Sequence, residues 1–158
     1  MRKRTKAREY ALQILYQVDL TRVELDQTLE DFWLYHLVPP EVKTFATELV
    51  RGTLAHLQAI DQLIATHASN WDINRMAVVD RNILRLGAFE LLYLEDVVPP
   101  KVCLNEAVEL AKRFGDEESS KFVNGILDTI YKTHAHDTPS STNASLPDEP
   151  STSASANE

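Results

Sequence analysis

The sequence predicts an all-α protein, and three observations carry that prediction. Apolar side chains recur at helical spacing along most of the 158 residues, only four glycines occur, and none precedes Gly52. A turn-rich β fold needs more glycine, placed earlier and more often.

The elements follow in order. Ala7, Tyr10, Ala11, Ile14, Leu15 and Val18 step by threes and fours and place one apolar face on a first helix, whose opening turn is basic. Off that face, Arg8, Leu12 and Tyr16 stack at i, i+4 and i+8 with Gln13 beside them, an exposed flank suited to RNA. Tyr16 serves equally as cover for a core edge. Leu25, Leu29, Phe32 and Trp33 mark a second helix that ends before Pro39-Pro40. Proline at a helix start then opens a single long third helix, in register from Val42 through Phe45, Leu49, Leu54 and Leu57 to Ile64. Gly52 inside it implies a close helix crossing. Residues 75 to 94 are so apolar that they must be covered on most sides and form a central pillar. After Pro99-Pro100 comes a helix through Leu104, Ala107, Val108 and Ala111, closed by Gly115 as a C-terminal cap. Asp116 to Ser120 supply acids and a hydroxyl at the start of a last helix that buries Phe122, Val123, Ile126, Leu127 and Ile130.

The expected organisation is one helical domain over residues 1–136. Residues 137–158 are mostly Ser, Thr, Pro, Ala and Asn, with Leu146 the one large apolar side chain, and read as a disordered acidic tail. No stretch approaches the roughly 20 uncharged apolar residues of a membrane span, and Arg2-Lys3-Arg4 lead into no signal core, so a cytoplasmic location without membrane association is expected.

Chemistry is narrowed by absences of pattern. The closest glycines are ten residues apart, which excludes the Gly-rich phosphate and dinucleotide loops. Cys103 is the only cysteine, so no internal disulfide and no thiolate zinc site can form, and in V-C-L on a helix it reads as a small core residue. The five histidines make no H-E-x-x-H. No catalytic constellation, metal site or cofactor is expected. Glu90, inside the apolar pillar, must be paired or protonated, and is expected to meet Arg81 or Arg85, backbone, or a partner protein.

Charge is unevenly distributed. Residues 1–8 carry +5, residues 137–158 carry −4, and the remainder carries −9 of the formal −8 total. Salt screens the bulk acidity beyond about 10 Å, so a concentrated basic end can bind phosphate locally.

Four strings then suggest a family. A-R-E-Y-A-L-Q-I-L-Y (7–16), I-L-R-L-G-A-F-E-L (83–91), N-E-A-V-E-L-A-K-R-F-G-D (105–116) and K-F-V-N-G-I-L-D (121–128) resemble, in order, the bacterial transcription antitermination factor NusB family. The resemblance covers about residues 4–133. It implies two small helical bundles packed together, with six to seven helices. It also implies binding to the boxA element of nascent ribosomal RNA transcripts, jointly with the ribosomal protein NusE, within the RNA polymerase antitermination complex. Carried over by motif, the RNA surface comprises Arg4, Lys6, Arg8, Gln13 and Tyr16, with Phe114, Glu118, Lys121 and Phe122. Position 118 is Glu where the family commonly has Asp. The NusE surface is expected around Arg81, Arg85 and Glu90. Basic groups meet phosphates and exposed aromatics stack on unpaired bases, the usual mode for single-stranded RNA. In K-F-V-N-G, Phe122 also reads as core and Gly125 as allowing close approach. Three alternatives stay open: a helical protein-interaction module without RNA, the non-catalytic RNA-binding module of an rRNA methyltransferase type, and a homodimer through helix one.

Overall fold

The computed structural model describes residues 2–69 and 71–135; the 137–158 segment read above as a tail lies outside them. Among the described residues there are seven α-helices, one 3₁₀ turn and no strand. They are α1 (Arg2–Thr21), α2 (Leu25–Tyr35), α3 (Pro40–Ala55), α4 (Leu57–His67), the 3₁₀ turn (Ile73–Arg75), α5 (Val78–Tyr93), α6 (Pro100–Phe114) and α7 (Ser119–Ala135).

α1 packs on α2 and α3, and α5 packs on α6 and α7, which makes two small bundles. α1, α3 and α4 also lie against α5, so one apolar core runs from Ile14, Leu15 and Leu49 through Ile83 and Leu84 to Leu127 and Ile130. α5 is the pillar its composition predicts: Asn82 through Leu91 are all buried. The ring of Phe89 lies where the crossing of α3 and α5 is tightest. A Cβ on Gly52 would come within 2.0 Å of Phe89 Cζ, so only glycine lets the helices meet there.

Three local expectations are corrected. The long third helix is two helices, broken at His56, whose φ of −113° leaves the helical range. No proline or glycine announces the break. The His56 N–H donates to Gly52 O (3.2 Å) and to Thr53 O (3.3 Å), a tightened last turn, and its ring Nδ1 also lies 3.1 Å from Gly52 O. Gly115 does close α6, but in extended geometry (φ −96°, ψ −169°) rather than the left-handed cap. Its lack of a side chain matters for space: a Cβ there would sit 2.4 Å from Ser119 Oγ. Gly125 lets nothing approach, because the space around it is open.

Candidate nucleic-acid interface

α1 has two working faces. Its inner face is wider than the apolar stripe alone, because α2, α3 and α5 pack on it and side chains of α6 reach it: Ala7, Arg8, Glu9, Ala11, Leu12, Ile14 and Leu15 are all buried. Arg8 and Leu12 therefore do not form an exposed flank with Tyr16. Arg8 is 1% exposed, and its guanidinium grips Glu90 through Nε (3.0 and 2.9 Å) and Nη2 (2.8 Å), with Glu106 3.5 Å from Nη1. Thr5 Oγ1 donates to Glu106 on the same side. Burial pushes the Glu90 carboxyl up from its ordinary value, against the pull of Arg8. Arg8 is thus removed from the candidate RNA surface: an arginine with every near acceptor inside the protein has no fork left for phosphate.

The expected partner surface on α5 is corrected for the same reason. Glu90 pairs with Arg8, not with Arg81 or Arg85, and is 2% exposed. Arg85 holds Asp61 in a two-pronged pair (2.8 and 2.9 Å) and reaches Asp19 at 3.1 Å. Arg81 donates to Asp19 (3.0 Å) and to the carbonyl of Ile73 (3.2 Å). Asn82 adds a third donor to Asp19 at 2.9 Å. Burial alone would raise the Asp19 carboxyl, but the hydrogen bonds from Asn82 and Arg81 and the charges of Arg85 and Arg81 hold it below its ordinary value. These arginines tie α5 to α1 and α4. Cys103, also interior, donates to Gly87 O (3.4 Å), and burial with the nearby Glu90 charge pushes its thiol far above the ordinary range.

The outer face of α1 carries Lys6, Gln13 and Tyr16, which at helical spacing fall within a quarter-turn of each other, with the buried Glu9 at its edge. Lys6 and Gln13 are exposed, and Tyr16 is 38% exposed. Gln13 makes no side-chain hydrogen bond among the described residues, so its amide faces solvent unused. Arg4 lies nearly opposite Lys6 on the helix; its guanidinium sits 4.9 Å from the Phe45 ring and 3.4 Å from Val97 O. The structure does not bring Arg4 to the Lys6–Tyr16 face.

Glu9 is the joint to the next element. Its carboxylate takes Lys6 on one side (3.4 Å) and Arg113, at the end of α6, on the other. Arg113 in turn lies 5.4 Å from the centre of the Phe114 ring, which is 39% exposed. Beyond Phe114 the chain turns tightly. Ser119 Oγ accepts from the Asp116 N–H (3.0 Å) and donates to Asp116 Oδ1 (3.2 Å), while the Glu118 N–H also donates to Asp116 Oδ1 (3.0 Å). That turn leaves Glu118 and Lys121 exposed, with no ion pair for either among the described residues. Phe122 is half-buried: it packs on the core yet meets Trp71 edge to face at 5.5 Å. Phe122 is thus a partly covered edge of the core rather than a fully buried side chain.

A chain of contacts thus runs from Lys6 on the outer face of α1 through Glu9 and Arg113 to Phe114, from which the turn leads on to Glu118, Lys121 and Phe122. Sequence reasoning missed Arg113 and Trp71. Arg113 stood next to Phe114 inside a quoted string; Trp71, 55% exposed, had no signal beyond being a tryptophan in a polar linker.

Among the described residues the protein is all-helical, and its exposed face mixes basic and aromatic side chains. The NusB family profile matches residues 5–132, and the chain belongs to that family. It is similar to transcription antitermination protein NusB of Myxococcus xanthus (48% identical over 134 residues, 82% of this chain and 95% of that protein). It is also similar to that of Syntrophus aciditrophicus (44% over 131 residues, 83% and 81%). Among solved structures, T. maritima NusB superposes with a TM-score of 0.75 at 42% identity, covering 84% of this chain and 92% of that one. A chain of the crystal structure of antitermination factors NusB and NusE in complex with double-stranded RNA superposes with a TM-score of 0.76 at 34% identity, covering 84% of this chain and 98% of that one.

Proposed function

We propose that this protein is a transcription antitermination factor that binds a boxA-type element of nascent ribosomal RNA together with the ribosomal protein NusE. It acts in the cytoplasm as part of the RNA polymerase antitermination complex and is a binding protein, not an enzyme. One observation carries this reading: the outer face of α1 runs through Glu9 and Arg113 into the Phe114–Phe122 turn, so that cationic groups and exposed rings alternate along one surface. Tyr16, Phe114 and Trp71 each offer a ring to an unpaired base, at about 1–3 kcal/mol per stacked base. With three to five phosphates neutralised, the logarithm of affinity falls against the logarithm of salt with a slope of roughly −2 to −3.5. So few contacts bind weakly alone, which gives joint binding with NusE its physical reason.

The test is fluorescence anisotropy of labelled boxA-type, scrambled and duplex RNA, with and without NusE, at two salt concentrations. Preference for boxA-type RNA that tightens with NusE and weakens with salt supports the reading; equal affinity for the scrambled strand overturns its specificity. Sedimentation of the protein alone shows whether a homodimer through α1 competes for the same face.

A further inference from the structure

Between α2 and α3 lies a groove of about 480 Å³ that shares no lining residue with the contacts running from Lys6 to Phe122. Leu29, Trp33 and Leu34 line it from α2, and Leu34 is 69% exposed, an apolar floor that α3 leaves open. Trp33 Nε1 is buried and has no hydrogen-bond acceptor among the described residues, a state that is unfavourable until an acceptor reaches it. The Arg51–Asp26 ion pair (2.7 Å) closes one end. About 12 Å along α3 from Arg51 stands Lys43, exposed and with no ion partner among the described residues. Glu30, on the α2 wall, disfavours a carboxylate midway. The occupant that fits is apolar first, offers backbone carbonyls, and brings its acid at the Lys43 end.

We infer that this groove is filled by the chain's own Leu146-Pro147-Asp148-Glu149 segment, with Leu146 on Leu29 and Leu34, a backbone carbonyl on the Trp33 indole, and the Glu149 carboxylate on Lys43. Leu146 is the one large apolar side chain of residues 137–158, and it precedes a proline, which favours extended backbone at that position. In a polyproline helix, with three residues per turn and a rise of about 3.1 Å, positions 146 and 149 fall on one side about 9 Å apart, which matches the run from the apolar floor to Lys43. Grooves with an aromatic wall take proline-containing segments in this way, because the extended chain makes no internal hydrogen bonds and its carbonyls are free. The segment is also long enough to arrive. α7 ends beside α4, with the His134 and His67 rings 6.1 Å apart, and α4 leads about 15 Å back to α3. The eleven residues from Ala135 to Leu146 span up to about 36–40 Å when extended, enough to reach the Arg51 end. Being tethered, so small a contact is held by effective concentration rather than by area.

The experiment is nuclear magnetic resonance of the full chain, enriched in nitrogen-15 and carrying a nitroxide at Ala144→Cys; Cys103 is buried and does not compete for the label. The nitroxide should broaden the amide signals of Lys43 and Thr47, and the indole N–H of Trp33 more than that of Trp71. Leu146→Ser should abolish this pattern. Lys43→Glu should weaken it, and Lys43→Glu combined with Glu149→Lys should restore it, which a merely structural role of Lys43 would not allow. Lys43 is exposed, so unchanged amide signals in α5 and α7 serve as the folding control for its variants. Broadening at Lys6, Tyr16 or Lys121 in place of the groove, or broadening nowhere, overturns the inference. A mixture in which one copy carries the nitroxide and the other the nitrogen-15 should show no broadening; broadening there would put a second copy's segment in the groove and overturn the intramolecular contact. No RNA is present, so the outcome is separate from that of the RNA reading.

Discussion

Lys6 and Arg8 lie two residues apart on one helix, carry the same charge and face opposite worlds. Lys6 stands on the outer face of α1, where its nearest charge, Glu9, is shared with Arg113. Arg8 is sealed inside, bound to Glu90 by three hydrogen bonds and backed by Glu106. The same division separates the arginines of α5, committed to Asp19 and Asp61, from Lys121 on α7, which has no ion partner among the described residues. What a basic residue does is decided by where its counter-charge is. A buried pair adds little net stability over a well-packed apolar one, but it binds three helices in one register, and losing either partner strands the other.

Arg8→Ala should give the largest effect, a loss of about 3–5 kcal/mol in urea unfolding, because Glu90 is left buried without its counter-ion. Its double variant with Glu90→Leu should regain part of that loss. An Arg8→Ala protein of wild-type stability but without RNA binding would invert the division between the two faces. Tyr16→Ala comes next: RNA binding should weaken by about 1–3 kcal/mol with the thermal midpoint nearly unchanged, as for a ring that stacks on a base. A large drop in midpoint would instead make Tyr16 part of the core edge. Lys6→Ala and Lys121→Ala should each flatten the salt dependence of RNA binding by about 0.7 in slope while leaving stability alone, which Arg8→Ala cannot do.

The smallest signal should come from Asp19. Its folded-state value lies below the ordinary 3.8, so the unfolded chain takes up the proton first. Its contribution is complete above pH 3.8 and is lost as pH falls through the folded value. Denaturation midpoints across that range should fall less steeply for Asp19→Asn than for the wild type, whose Asn82, Arg81 and Arg85 contacts depend on the ionised carboxylate.

The helices were legible because helical spacing is a local property. Ala7 to Val18, the Pro-led starts at Pro40 and Pro100, and the apolar run of α5 each declare themselves within a few turns. The break at His56 was not legible, since neither a proline nor a glycine stands there and the apolar spacing runs on through it. At the candidate site, Lys6, Gln13, Tyr16, Phe114 and Lys121 could be named from the strings they occupy. Arg8 belonged to the same string and was misplaced, because periodicity shows which residues share a face but not how many neighbours will cover it.

By itself, then, the sequence determined a helical protein without catalytic or metal-binding patterns, and a family whose strings name most of the exposed face. Only the tertiary structure decided which charges are internal. Arg8 and Glu90 are 82 residues apart, as are Glu9 and Arg113 by 104, and no local pattern links them. Their meeting is set by how the helices pack, and packing likewise brings Trp71 against Phe122, 51 residues further along the chain.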